Sequence, residues 1–180
     1  MSGAGGIQGG PPWSPSMSLK DAEKWNKNSK IKETQYHATD NMKQIKKDGF
    51  RLDVSVKNGR VNGDGVYMAA ERDGAEYWGG KDIVDIKINV KNPLTYDDVN
   101  HGRGIPKKFR GQKMPQKYGP DGYESTWSWV EDLGDKYFSG MKKCEKVSGV
   151  LEEMGIDAII DPRTGAGTVV FNPKNIVVIN

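Results

Sequence analysis

Few residues in this chain can do chemistry alone. There are two histidines, His37 and His101, and one cysteine, Cys144. That set is too small for a zinc site built from Cys and His, so no metal is expected. A single cysteine excludes an internal disulfide. No GxGxxG, Walker A, HExxH or GxSxG pattern occurs. What stands out is an ordered series. His37 lies in Tyr-His-Ala-Thr (36–39) and Arg51 in Asp-Gly-Phe-Arg-Leu (48–52). Tyr67 lies in Gly-Asp-Gly-Val-Tyr-Met-Ala (63–69), and Tyr77 follows ten residues later. His37, with small Ala38 and Thr39 behind it, offers an imidazole and backbone groups to a polar ligand. Gly63 and Gly65 allow close backbone approach. Tyr67 and Tyr77 present two faces to a flat ring, and Arg51 suits a phosphate or a purine. Together these types fit a nucleotide-like ligand with a planar base.

The elements that would hold them are short. Ser18 is expected to cap a helix over 18–28, with Asp21 completing a weak capping box. A strand over 33–37 ends at His37. Asp40 would cap a two-turn helix with Met42 and Ile45 that stops at Gly49. Residues 54–64 read as a loop, 65–69 as a strand and 71–78 as a helix. The clearest strand is 83–90, where Val84, Ile86, Ile88 and Val90 alternate with Asp85, Lys87 and Asn89, one face buried and one wet. Residues 95–123 carry no periodicity and read as a long loop. Helices are expected over 125–133 and 140–154. The second carries Met141, Cys144, Val147, Leu151 and Met154 on one stripe. Segments 156–161, 168–171 and 176–179 finish the chain as strands, 162–167 turning between the first two. Strands at both ends with helices between them, and no repeated βαβ unit, give an α+β chain with a mostly antiparallel, split sheet.

Composition narrows the class. Of 180 residues 35% are hydrophobic and 28% charged, with 23 Gly and 9 Pro, and the net charge is +3. Five Trp, seven Tyr and four Phe are too many aromatics for a disordered chain. No apolar run is long enough to span a membrane, and no secretory h-region is visible, so no membrane insertion is expected. Residues 1–17 read as a flexible Gly/Pro/Ser leader and 18–180 as one domain. Residues 101–118 carry Arg103, Lys107, Lys108, Arg110, Lys113 and Lys117 with no acidic residue. That stripe, with Phe109 and Tyr118 as stacking rings, suits nucleic-acid phosphates or an acidic protein. The alternative for it is a solvated loop or a patch that meets a protein partner. Of Trp127 and Trp129, one is expected in the core and the other against a ligand or partner.

The stretch 36–77 resembles the NAD-binding half of the ADP-ribosyltransferase superfamily, in the branch of diphtheria toxin and the poly(ADP-ribose) polymerases. That branch shows His-Gly-Thr/Ser, a helix ending in Gly-Leu/Phe-Arg, Gly-x-Gly-Ile-Tyr-Phe, and a second Tyr about ten residues on. The C-terminal Thr-Val-Val-Phe-Asn-Pro-Lys-Asn-Ile resembles its penultimate strand. The match covers roughly 33–90 and 150–180 and leaves 95–148 unmatched. The resemblance implies that His37 bonds the adenosine ribose of NAD. It implies that the Ala38 backbone, aided by Thr39, holds the nicotinamide amide, that Tyr67 and Tyr77 sandwich its ring, and that Arg51 lies near the adenosine phosphate.

The same resemblance puts the catalytic glutamate of that branch at Gly167, which has no carboxylate. Three explanations stay open: a carboxylate from elsewhere (Asp161, Glu124 or Glu131), single ADP-ribose transfer with help from the acceptor, or NAD binding without turnover. The expected function is a toxin- or effector-type mono-ADP-ribosyltransferase acting on protein or RNA, or a catalytically deficient NAD/ADP-ribose module. Arg103, Lys107, Lys108 and Arg110 would bind the target, and a cognate immunity protein or antitoxin is a possible partner. The expected setting is the cytoplasm, or a target cell into which the domain is delivered. Removal of an RNA 2′-phosphate, another NAD reaction of that fold, needs arginines round the site, of which only Arg51 is suitably placed.

Overall fold

The structure, a computed structural model, describes residues 11–52, 65–112, 123–160 and 167–180, with the side chains of all but 123–125 and 144. Expectations on 54–64, 162–166, Asp161, Cys144, Lys113, Lys117, Tyr118 and the Glu124 side chain fall outside the described set.

The chain is mixed α+β with two mostly antiparallel four-stranded sheets and several short helices. The first sheet holds, in order, β1 (Ser16–Met17), β8 (Ile176–Ile179), β4 (Asp82–Ile88) and β2 (Gln35–Thr39). The second holds β3 (Val66–Met68), β7 (Thr168–Val170), β6 (Ala158–Ile159) and β5 (Pro93–Leu94). Within the sheets only β1–β8 and β5–β6 pair parallel. The sheets meet at one bridge, Tyr36 with Ala69, where each N–H donates to the other's carbonyl at 2.8 Å.

Strand alternation sorts the buried residues into layers. Val84, Ile86 and Ile88 from β4 pack with Val66, Met68 and Val170 in a core between the sheets, joined by Phe50 and Ile31. The other face of the second sheet meets α5 (Tyr123–Tyr137) and α6 (Lys143–Met154), where Trp127, Trp129, Leu133, Val147 and Leu151 surround Val169 and Ile159. The other face of the first sheet carries α1 (Leu19–Trp25), with Met17, Ala22 and Val177 buried between them. Ser18 caps α1 as expected, its Oγ accepting from the Asp21 amide at 3.2 Å.

Several expectations are corrected. The leader does not run to residue 17. Trp13 donates from Nε1 to Ile176 O at 3.1 Å, and Ser16 and Met17 pair with Val178 and Ile179. The unbroken loop expected over 95–123 contains α4 (Tyr96–His101), opened by a capping box between Thr95 and Asp98, then a 3-10 turn at Lys107–Phe109. Asp40 does not cap α2 (Met42–Asp48). Asn41 stands at that position, and the Asp40 carboxylate accepts from the Lys81 amide instead. Lys87 is buried rather than wet, because its stem lies along the sheet and Nζ donates to Lys32 O at 2.6 Å. Met141 is exposed, since α6 begins only at Lys143. Trp127 and Trp129 are both core.

Candidate functional site

The seam between β2 and β3 brings His37 and Tyr67 together. In an antiparallel ladder the backbone groups of successive residues face alternate sides. Tyr36 spends its N–H and C=O on Ala69 of the neighbouring sheet. His37 therefore faces β4, and Ala38 faces the β3 side again. A continued ladder would pair Ala38 with Tyr67. It does not continue, because the His37 side chain occupies that partner: Nδ1 stands 2.6 Å from Tyr67 O. The Tyr36–Ala69 bridge is isolated, so no Ala38–Tyr67 bridge pair follows it.

The contact also fixes the imidazole. A carbonyl only accepts, so Nδ1 carries the hydrogen and Nε2 keeps its lone pair in the neutral ring. Phe50 packs edge-on against His37 with centroids 4.9 Å apart. Burial pushes the His37 pKa below its ordinary 6.5, and the bond to Tyr67 pulls it partly back. At neutral pH the ring is neutral, and Nε2 can accept from a hydroxyl.

Register places other members on one face. Residues directly opposite in a pair share a face, so Tyr67 goes with Val169 and, two positions on, with Ala69 and its bridge partner Tyr36. Ala38 lies on that face too. The Tyr67 ring is half-buried against the core under α5 and α6. Tyr77 ends α3 (Arg72–Tyr77), which lies on the outer face of the first sheet, since Arg72 pairs with Asp85 at 2.9 Å and lies over the Tyr36 ring. Tyr77 is 87% exposed and packs edge-on against Trp78, itself 59% exposed. Gly80 ties this corner to the seam. A Cβ there would meet Thr39 N at 2.6 Å and Ala38 C at 3.0 Å, so only glycine permits the approach. Thr39 is buried, with its hydroxyl accepting from the Asn41 amide. Arg51 is exposed and follows Phe50 directly.

Gly167 adjoins the same strand. Its φ is +122°, and a Cβ would stand 3.0 Å from Met68 O. The glycine is therefore demanded by the backbone, and no side chain fits without strain. Gly65 serves the chain's own packing rather than a ligand, since a Cβ there would collide with Val169.

The basic segment lies elsewhere and is largely paired. Arg103 is bound by Asp97 and Asp98, Lys108 by Glu153 of α6, and Arg110 donates from Nε to Ile105 O at 2.8 Å. Lys107 is exposed without an ion pair among the described residues. Phe109, expected as a stacking ring, is buried at 1% exposure, against Tyr137. Glu131 is held by Lys143. Sequence reasoning missed Trp78, whose signal was its place beside Tyr77 just ahead of Gly79-Gly80. Among the described residues no group of His, Cys, Asp or Glu is arranged to hold a metal, and no helix is long and apolar enough to cross a membrane.

No family model, no curated protein and no solved structure matches the chain.

Proposed function

We propose that this chain is an ADP-ribosyltransferase-like domain that takes NAD into the seam between β2 and β3. The observation that carries the reading is the His37–Tyr67 contact, because the pairing of the two strands stops there; in this reading the Ala38 N–H and C=O turn toward the gap as donor and acceptor. A carboxamide has the complementary pair, which fits the nicotinamide amide. The neutral His37 Nε2 suits a ribose hydroxyl, and in this reading the rings of Tyr67 and Tyr77 would bracket the nicotinamide. Thr39 supports the turn below it, and Arg51, which follows the Phe50 packed on His37, would serve the phosphates.

In the reaction, the bond from ribose C1′ to the pyridinium nitrogen breaks. Nicotinamide leaves as a neutral molecule with the electron pair, the acceptor's nucleophile bonds to C1′, and its proton is released. Holding both partners in place and stabilising the developing oxocarbenium charge are the tasks of such a site. The acceptor is a macromolecule, protein or RNA.

The backbone at Gly167 favours a second reading, NAD or ADP-ribose binding without turnover, because the position cannot hold a carboxylate. One experiment covers both. Calorimetry measures NAD binding, and release of labelled nicotinamide measures cleavage. Binding with cleavage supports the transferase, and binding alone supports the second reading. Absence of both defeats the NAD site.

A further inference from the structure

We propose that the C-terminal end of α3, beside the seam, docks a cationic protein segment rich in lysine and arginine. As the identity of an acceptor, this rests on the NAD reading of the seam; as a docking surface, it stands on α3 itself.

Tyr77 and Trp78 are the two most exposed of the large apolar side chains among the described residues. They meet edge to face at 83°, an arrangement that props the rings and leaves ring surface open. Beyond them, a Cβ at Gly79 would meet nothing within 4 Å, so the lip has room. The charge around the rings is acidic. Residues 71–85 hold five acids against two bases, within a chain whose net charge is +3. Glu71, Asp73 and Glu76 are exposed and form no ion pair among the described residues. Of the two bases, Arg72 is already taken by Asp85 and Tyr36. Asp73 and Tyr77 stand four residues apart, on one side of the helix.

Open aromatic faces attract ammonium and guanidinium groups through the ring quadrupole. Unpaired carboxylates attract the same groups and repel phosphates. The chain already stacks its own cations this way, with Arg72 over Tyr36 and Lys108 over Phe109. A nucleic acid would find rings to stack on but an acidic surround. The basic segment at 103–110 offers no rival site for a cation.

The test titrates a fluorescein-labelled Arg/Lys-rich peptide, and a single-stranded RNA of equal length, against the full chain by anisotropy. NAD calorimetry runs on the same samples. The peptide is expected to bind, and the RNA not. Trp78→Ala should weaken the peptide about fivefold, in line with an exposed cation–ring contact. The triple Glu71→Gln, Asp73→Gln, Glu76→Gln variant should weaken it roughly tenfold. All four positions are exposed, so the thermal midpoint should hold. Peptide affinity that ignores both variants, no peptide binding, or RNA binding that depends on Trp78 overturns the proposal. Peptide binding without NAD binding leaves the lip standing and fells the seam reading; NAD binding without peptide binding does the reverse.

Discussion

Putting glutamate at residue 167 would restore the carboxylate of the resembling branch, and the backbone opposes it. Gly167 has φ +122°, a region that L side chains rarely enter, at a cost of about 1–3 kcal/mol. A Cβ would also press on Met68 O at 3.0 Å. That carbonyl belongs to β3, whose ladder with β7 restrains it from swinging away. A loss of about 2 kcal/mol in a chain of this length lowers the thermal midpoint by roughly 4–8 °C. The strain comes from the Cβ and the dihedral, so Gly167→Ala should lose nearly as much as Gly167→Glu. Thermal unfolding followed by circular dichroism measures both, with nicotinamide release assayed alongside. The expected outcome is two similarly destabilised variants and no gain in cleavage from the glutamate. A Gly167→Glu protein as stable as the parent that cleaves NAD faster would refute the reasoning. The site would then have accommodated the side chain, and the glycine would be a simple loss of a catalytic group.

Other consequences follow from the same packing. Because burial lowers the folded-state pKa of His37, the unfolded chain binds more protons below about pH 6.5. Stability is therefore full above that pH and falls as pH drops through it, a fall that His37→Gln should flatten in midpoint-versus-pH curves. His37→Ala should also let Ala38 pair with Tyr67, so amide exchange at Ala38, read by NMR, should slow relative to the parent. Phe109→Ala empties a fully buried site and should cost about 3–5 kcal/mol, a midpoint drop of roughly 6–20 °C. Any change in RNA affinity of that variant should vanish once the unfolded fraction is allowed for. Trp13→Ala removes the bond to Ile176 O and the ring beside Gly49, and should cost about 1–2 kcal/mol by chemical denaturation.

Legibility in the sequence followed the range of the interactions. β4, β8 and the helix closed by Gly155 rest on local periodicity, and they stand where the alternation and the 3.6-residue stripe put them. α4 was also legible, through Thr95-x-x-Asp98, but its weak apolar pattern hid it inside a Gly-rich stretch. β1 was not, because two residues become a strand only by pairing with a partner more than 150 positions away. The basic stripe misled for a related reason. A charge count sees Arg103 and Lys108, but it cannot see the turn that brings Asp97 and Asp98 onto one and Glu153 onto the other. The residue types of the site were readable from spacing. Their relation was not, since nothing local says that β2 and β3 touch at one bridge and then part.

That parting is the physical core of the site. Two strands that begin to pair at Tyr36 and Ala69 gain by continuing, because each further pair satisfies two more backbone groups. An interruption needs something that satisfies the next carbonyl better than the neighbouring amide does. The His37 imidazole does so at 2.6 Å, and Phe50 holds the ring in place. Behind it the chain packs so closely on residue 80 that only glycine fits there, a Cβ meeting Thr39 N at 2.6 Å. His37, Ala38, Thr39 and Gly80 thus act as one device: a side chain takes a backbone partner, and in the proposed site the backbone it displaces would meet the ligand. Under the proposed function a single histidine would serve structure through Nδ1 and the ligand through Nε2.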